Sequence, residues 1–518
     1  MSSNECDGPG HPPLRISSLL GRREPTRLSN QPHPSCKCLA VNSFSSYTAR
    51  MDSGVEPQTS KRYKTQADGV SNWLEEQWAS LLVAVAFIFY AARLFRLISR
   101  YAVNIFFSDQ WEFNDATLFQ KHSLWQIFDW QHGPHRQGLG ALFEKLVDPI
   151  FGWNSRIESF IVWGVIVTAA ICALWLKRRL YGSFSVFDVV IPAILFIPAQ
   201  WETLFVTANF SHGPFPLLLI LVYCLSWTFG KRAVRYPLVL LINFAGIYTG
   251  FGIFLGVLTP ILLALDYWAS APQTRLRRTY FVWILLVAIV SLASFFVGYK
   301  FNADLECFSF QPQTPRSYVA YVALMFANFF AIRRLLAFPR IVGTMILAAS
   351  LVSLAIALGW LLRRQGPKCA GEEGNRALLT VGLTAYSLLL CVGTAYGRLC
   401  GGLLTAFSPR YAIYLEPAVL GFYFFLLGLH QDRTRKLLLS GFLMAIVAAS
   451  SHVDRSGMAY FRDAKQRWKT CYLQTEDIKH CDKVAGFPIY THPPERTHLQ
   501  EKLQYLKTAG QNLYSDSR

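Results

Sequence analysis

The sequence predicts an all-α polytopic membrane protein of about 11 transmembrane helices with a long first extracytoplasmic loop. Three observations lead there. The chain of 518 residues is 52% hydrophobic but only 16% charged, so it has too little charge to solvate the outside of a soluble fold of this size. Uncharged runs recur from about residue 78 to residue 452, each near the ~20 residues that cross a bilayer. The basic residues fall in short clusters between those runs, such as Lys177-Arg178-Arg179 and Lys231-Arg232. That is the pattern that keeps loops on the cytoplasmic side. It accounts for the net charge of +18 without nucleic acid, and the partner it implies is membrane lipid.

In chain order, residues 1–72 are rich in Ser, Pro, Gly, Lys and Arg and lack an apolar period, which predicts a disordered cytosolic tail. No apolar h-region near the start makes a cleavable signal peptide, and Met51 is an alternative start. Residues 73–452 form the transmembrane domain. Span 1 covers 78–97 and the outer loop 99–157. Span 2 covers 159–176 and closes on Lys177-Arg178-Arg179, which puts the loop outside. Arg93, Arg96 and Arg100 argue for the opposite orientation and are outweighed by the later clusters.

Span 3 (186–198) and span 4 (214–229) follow. The run 236–265 is too long for one upright helix and is flanked by basic residues, so two short helices should meet near 246–252, where glycines permit a tight turn. A span at 280–297 leads to an outer loop with Asp304, Glu306 and Arg316. Residues 318–330 either span or lie on the outer interface. The second choice satisfies more clusters, because spans 341–362, 377–396, 411–429 and 437–452 then leave Arg363-Arg364 and Arg433 to Lys436 inside. Residues 453–518 become a small extracytoplasmic tail, too short for a catalytic domain.

Chemistry concentrates in residues 108–140. Connections between helices are ordinarily short, so a polar insertion of this size marks a function. Asp109 and Glu112 lie just beyond span 1, where a carboxylate can take a proton from an incoming hydroxyl or hold a divalent cation. The plain alternative is a solvated helix end. Gln131-His132-Gly133-Pro134-His135-Arg136 sets two imidazoles and a guanidinium around a turn, a group suited to phosphate or sugar hydroxyls. Zinc is the weaker reading, since no Cys or HExxH partner accompanies the pair. Glu202, with Asn209 and His212, marks the outer end of spans 3 and 4. A carboxylate there is costly unless paired. Arg410 and Tyr411 enter a late span from the same side, with Glu416 further along as a partner for the guanidinium. The eleven cysteines show no CxxC pair, and Cys471 and Cys481 flank a short polar segment where a disulfide fits an outside location.

With these residues in place, the chain resembles the GT-C superfamily of integral-membrane glycosyltransferases, particularly bacterial members. The resemblance lies in Asp109-Gln110-Trp111-Glu112, Gln131 to Arg136, Gln200-Trp201-Glu202 and Ser408-Pro409-Arg410-Tyr411, and it covers roughly residues 75–500 in order. It implies a GT-C-like fold in the inner cell membrane with its site on the extracytoplasmic side. It also implies a sugar donor carried on polyprenyl phosphate and an acceptor glycan, lipid or protein. Asp109 and Glu112 are then the catalytic acids. His132, His135, Arg136, Glu202, Arg410 and Tyr411 bind substrate. Related members often carry two adjacent acids in the first loop. Gln110 follows Asp109 here, which leaves open which acid acts and whether a divalent cation is held. The rival reading is a transporter or flippase of a lipid-linked or small polar substrate. The lack of an internal repeat, and the gathering of polar residues at one face instead of the midplane, weigh against it.

Overall fold

The computed structural model describes residues 58–206, 210–269, 275–301, 314–333, 336–363, 372–490, 492 and 494–517. Most of the expected disordered tail, together with Asn209, Asp304 and Glu306, lies outside those residues. Contacts divide the chain into two units, Met1–Lys64 and Thr65–Arg518. The described part of the first is the opening of helix α1, Gln58–Tyr101. The second is all-α and polytopic, and its only strands among the described residues are a two-residue pair.

After α1 come α2 (Gln110–Asn114), α3 (Leu124–Phe128), the hairpin of β1 (Gln131–His132) and β2 (His135–Arg136), and α4 (Gly138–Val147). The bundle continues with α5 (Ser155–Tyr181), α6 (Val190–Leu195), α7 (Trp201–Phe205), α8 (Pro214–Trp227), α9 (Arg232–Ile247) and α10 (Ile253–Ala269). Then follow α11 (Arg275–Ser294), α12 (Pro315–Phe329), α13 (Ala337–Arg363), α14 (Glu372–Arg398), α15 (Ala412–Leu427) and α16 (Asp432–Ser451). Four helices close the chain: α17 (Arg455–Thr475), α18 (Ile478–Ala485), α19 (Pro494–Thr497) and α20 (Leu499–Ala509).

Eight of the described helical segments are long and apolar enough to cross a membrane, and α8 and α10 are shorter apolar helices. The expected eleven is not reached by that criterion. Along α1, Leu94 and Ile98 are fully buried whereas Val85, Ile88 and Phe89 stand more than half exposed. A helix that is apolar on both its buried and its exposed face is what a lipid surround selects. The run 236–265 does divide into α9 and α10. A Cβ on Gly252 would sit 1.6 Å from the carbonyl oxygen of Gly246, so the turn between them closes only with glycine there.

One end of the bundle is basic. Arg179 lies over Phe229, Arg376 over Tyr181, and Arg235 pairs with Asp266 at 3.3 Å. Lys177, one of the cluster read as cytoplasmic, is buried against Asp188 at 2.7 Å. Tyr423 Oη and the Ser185 backbone N–H donate to the same carboxylate, each at 2.6 Å.

The first loop and the last four helices meet at the other end and share one core. Val103, Phe106, Trp111 and Trp153 from the loop pack with Trp468, Tyr472, Leu503 and Leu506 from the tail. Asn104 Nδ2 donates to the Asn512 carbonyl (2.7 Å), and Asn512 Nδ2 donates to the Trp153 carbonyl (2.7 Å). A Cys471–Cys481 disulfide, with Cα atoms 5.6 Å apart, ties α17 to α18. Helix α12 lies at this end as well, buried between α13 and residues 403–408. Its Tyr321 Oη is 3.0 Å from Thr405 Oγ1, and Asn328 Nδ2 donates to the Ser408 carbonyl at 3.2 Å.

Candidate functional site

Ser108 takes a positive φ of 52°, and the chain reverses there into α2 with Asp109 at its N-cap. Asp109 and Glu112 therefore stand one helical turn apart on the same face. Between them, Gln110 is a structural post. Its amide donates to Glu158 Oε2 (2.9 Å) and accepts from the Phe107 backbone N–H (3.0 Å). The β1–β2 hairpin turns on Gly133, at φ 54°, followed by Pro134, a pairing suited to a two-residue hairpin loop. His132 and His135 are cross-strand partners in it.

Glu112 is fully occupied. His132 Nδ1 lies 3.1 Å from Oε2, Tyr490 Oη donates to Oε1 at 2.5 Å, and His492 Nε2 is 3.3 Å from Oε1. Asp109 is not. It accepts from Ser108 Oγ on Oδ1 at 3.2 Å, and its other oxygen accepts no hydrogen bond among the described residues. Burial pushes the Asp109 carboxyl up, but His132, His212 and Arg410 act against this, aided by the Ser108 hydroxyl. The net effect holds it below the usual carboxylate range.

His212 is pulled down to about 3 by burial, with Asp109 opposing and the charges of His132, Arg410 and Arg398 adding to the fall. His135 is also driven well below its ordinary value, by burial first and then by His212, His132 and Arg398. Burial thus favours the neutral form of both rings, and Arg410 adds a permanent positive charge that acts on Asp109. The three imidazoles cluster, with the His212 ring 6.3 Å from His132 and 6.4 Å from His135. Gln137 Nε2 lies 2.8 Å from His212 Nε2, so with the amide as donor the ring carries its proton on Nδ1.

On the facing wall, Glu202 accepts from Ser408 Oγ at 2.6 Å and from the Arg410 backbone N–H at 3.3 Å. The Arg410 guanidinium stands further off. Its Nε is 3.8 Å from Glu202 Oε1 and makes no hydrogen bond among the described residues. It lies 5.5 Å over the ring of the buried Tyr411. Glu416, read from sequence as a partner for Arg410, is buried with both oxygens free of hydrogen bonds among the described residues.

The sequence candidates thus separate. Asp109, Glu112, His132, His135, Glu202, Arg410 and Tyr411 come together with His212 at one end of the bundle. Arg136 does not join them. Its guanidinium donates to Asp129 Oδ1 (2.7 Å), to the Phe295 carbonyl (3.1 Å) and to the Val297 carbonyl, so it pins the hairpin to the end of α11. Sequence reasoning missed Tyr490 and His492, which lie in a stretch with no apolar period, and Arg398, which ends an apolar helix. Their type gave no signal, because each acts through a partner hundreds of residues away or in another helix. Beyond Glu112 the site opens into a cleft of about 800 Å³ between α2 and α20.

Among the described residues, no three His, Cys, Asp or Glu side chains are grouped to hold a metal ion. No protein-family model matches this sequence, and no curated protein matches it.

Proposed function

We propose that this chain is a GT-C-like membrane glycosyltransferase. It moves a sugar from a polyprenyl-phosphate donor to an extracytoplasmic acceptor, with inversion at the sugar. In this reading α8, α9 and α10 complete eleven spans, the protein sits in the inner cell membrane, and its site faces outward. The observation that carries it is that, among the described residues and at one end of the bundle, Asp109 keeps an oxygen free of hydrogen bonds and Arg410 an Nε free of them.

The acceptor hydroxyl gives its proton to Asp109 as its oxygen bonds to the anomeric carbon. On the opposite side the bond from that carbon to the phosphate oxygen breaks, and the electron pair leaves on phosphate. The Arg410 guanidinium neutralises this developing charge, a role in which a preorganised cation is most effective when water is excluded. Glu112 acts through others: it fixes His132 and Tyr490 beside α2. Glu202 holds the Arg410 backbone in place. Positioned base catalysis is worth on the order of 10²–10⁴ in rate.

Transfer from a polyprenyl-phosphate sugar in reconstituted vesicles tests this. Asp109→Asn, which keeps the volume and loses the proton acceptor, should lower the rate by about 10²–10⁴ at unchanged protein content. Native turnover by Asp109→Asn removes Asp109 as the base. The second reading, a transporter, is favoured by Glu416, an unpaired buried carboxyl inside an apolar helix. Vesicles in which no sugar is transferred, but in which Glu416→Gln abolishes uptake of a polar solute, would establish that reading instead.

A further inference from the structure

The cleft between α2 and α20 adjoins the site through Glu112, and nothing in the reaction above occupies it. At about 800 Å³ it falls within the roughly 300–1,000 Å³ typical of small-molecule sites. One wall comes from the first loop and the other from the C-terminal helices. Glu112 belongs both to it and to the cluster around Asp109. A molecule lying in the cleft therefore ends one helical turn from the base.

We propose that this cleft is the acceptor subsite and that it takes an uncharged oligosaccharide. The proposal rests on the transferase reading and deepens it. Aromatic rings supply one half of the recognition. Tyr505 stands 47% exposed, and its ring meets Phe119 edge-on at 5.7 Å, so an open aromatic face is available to the C–H face of a pyranose. A carboxylate supplies the other half. Glu501, exposed and with only His498 beside it among the described residues, lines the same space and accepts hydrogen bonds from hydroxyls.

The charge balance selects against an anion. Among the described residues lining the cleft, the lysine is Lys502, which is bound to Asp115 at 2.7 Å and lies 5.7 Å over Phe119. His498 is 3.2 Å from Glu501, and His492 is 3.3 Å from Glu112. Among the described residues, each cationic group lining the cleft has a carboxylate beside it. A phosphate or uronate would enter facing Glu112, Asp115 and Glu501. A neutral sugar meets no such barrier.

Saturation-transfer NMR on the full chain in detergent micelles tests the assignment. The probes are neutral trisaccharides of glucose, mannose, galactose and N-acetylglucosamine, with trigalacturonate as the anionic counterpart. At least one neutral trisaccharide should bind and trigalacturonate should not. Tyr505→Ala should weaken binding about tenfold, and Tyr505→Trp should restore it. Binding of trigalacturonate as tight as that of the neutral probes overturns the proposal. So does an absence of binding by every neutral probe to a chain whose unfolding midpoint is native. If such a non-binding chain still transfers sugar, only the cleft assignment falls. If a trisaccharide binds and no sugar is ever transferred, the cleft remains a saccharide site and the transferase reading falls.

Discussion

Arg410 and His212 show how two residues near one carboxylate can have opposite protonation fates. Arg410 cannot lose its charge, and its Nε lies near Glu202 without a hydrogen bond. Arg410→Lys should retain part of the transfer rate and Arg410→Ala almost none, because lysine keeps the charge and loses the planar fork. Equal turnover by both variants and the native protein would take Arg410 out of the site. His212 is held neutral in the fold, at about 3 against about 6.5 in the unfolded chain. The unfolded state therefore binds the extra proton, and the fold loses stability as pH falls from about 6.5 towards 3. His212→Asn should flatten that acid limb in thermal unfolding measured against pH. An unchanged slope would mean that His212 is not its source. Asp109, Glu202 and Arg410 stood out in the sequence because each sits where an apolar run breaks, and His132 because it lies in a polar loop between two spans. The sequence could not show what occupies Glu112, since Tyr490 lies 378 positions further along the chain.

At the scale of elements, periodicity and glycine placement were readable where local rules decide the outcome. The break between α9 and α10 was visible because a 30-residue apolar run exceeds one bilayer crossing and carries its glycines at the middle (roughly, by span length). The burial of α12 was not visible, because 15 residues with one arginine fit an interface as well as a core. Nor was the fate of Lys177. The positive-inside pattern treats every lysine beside a span as solvated, whereas this one is 2% exposed and satisfied by Asp188 and the Ser183 carbonyl. Removing one member of a buried pair strands the other charge, at a cost of roughly 3–5 kcal/mol, while apolar replacement of both is often neutral. Lys177→Met should therefore lower the unfolding midpoint sharply, and Lys177→Met with Asp188→Leu should recover most of the loss. A double variant no better than the single would show that the pair holds α5 to residues 186–189, just before α6, by more than its charges.

Over the whole molecule, the two ends of the bundle divide the work. One gathers arginines and buried ion pairs. The other gathers the acids, imidazoles and aromatics around a core that no single segment completes. The tail looked like an appendage in the sequence because its helices are polar and short, and an apolar face that closes on a distant loop has no sequence mark of its own. Its removal should expose Phe106, Trp111 and Trp153, which it covers, and unseat Glu112 by taking away Tyr490 and His492. A chain ending at residue 452 should then reach the membrane, bind a dye for exposed apolar surface more strongly than the native protein, and transfer no sugar. Native transfer by it would show that the tail is dispensable. The Asn104–Asn512 contact joins partners 408 residues apart. A ribosome adding 5–20 residues per second needs roughly 20–80 s to make that stretch. Through that interval the nascent first loop has its acids in place and no lid over its tryptophans. A half-made protein already carries the reactive residues but cannot assemble them, so the last helices to be synthesised decide when the site comes into existence.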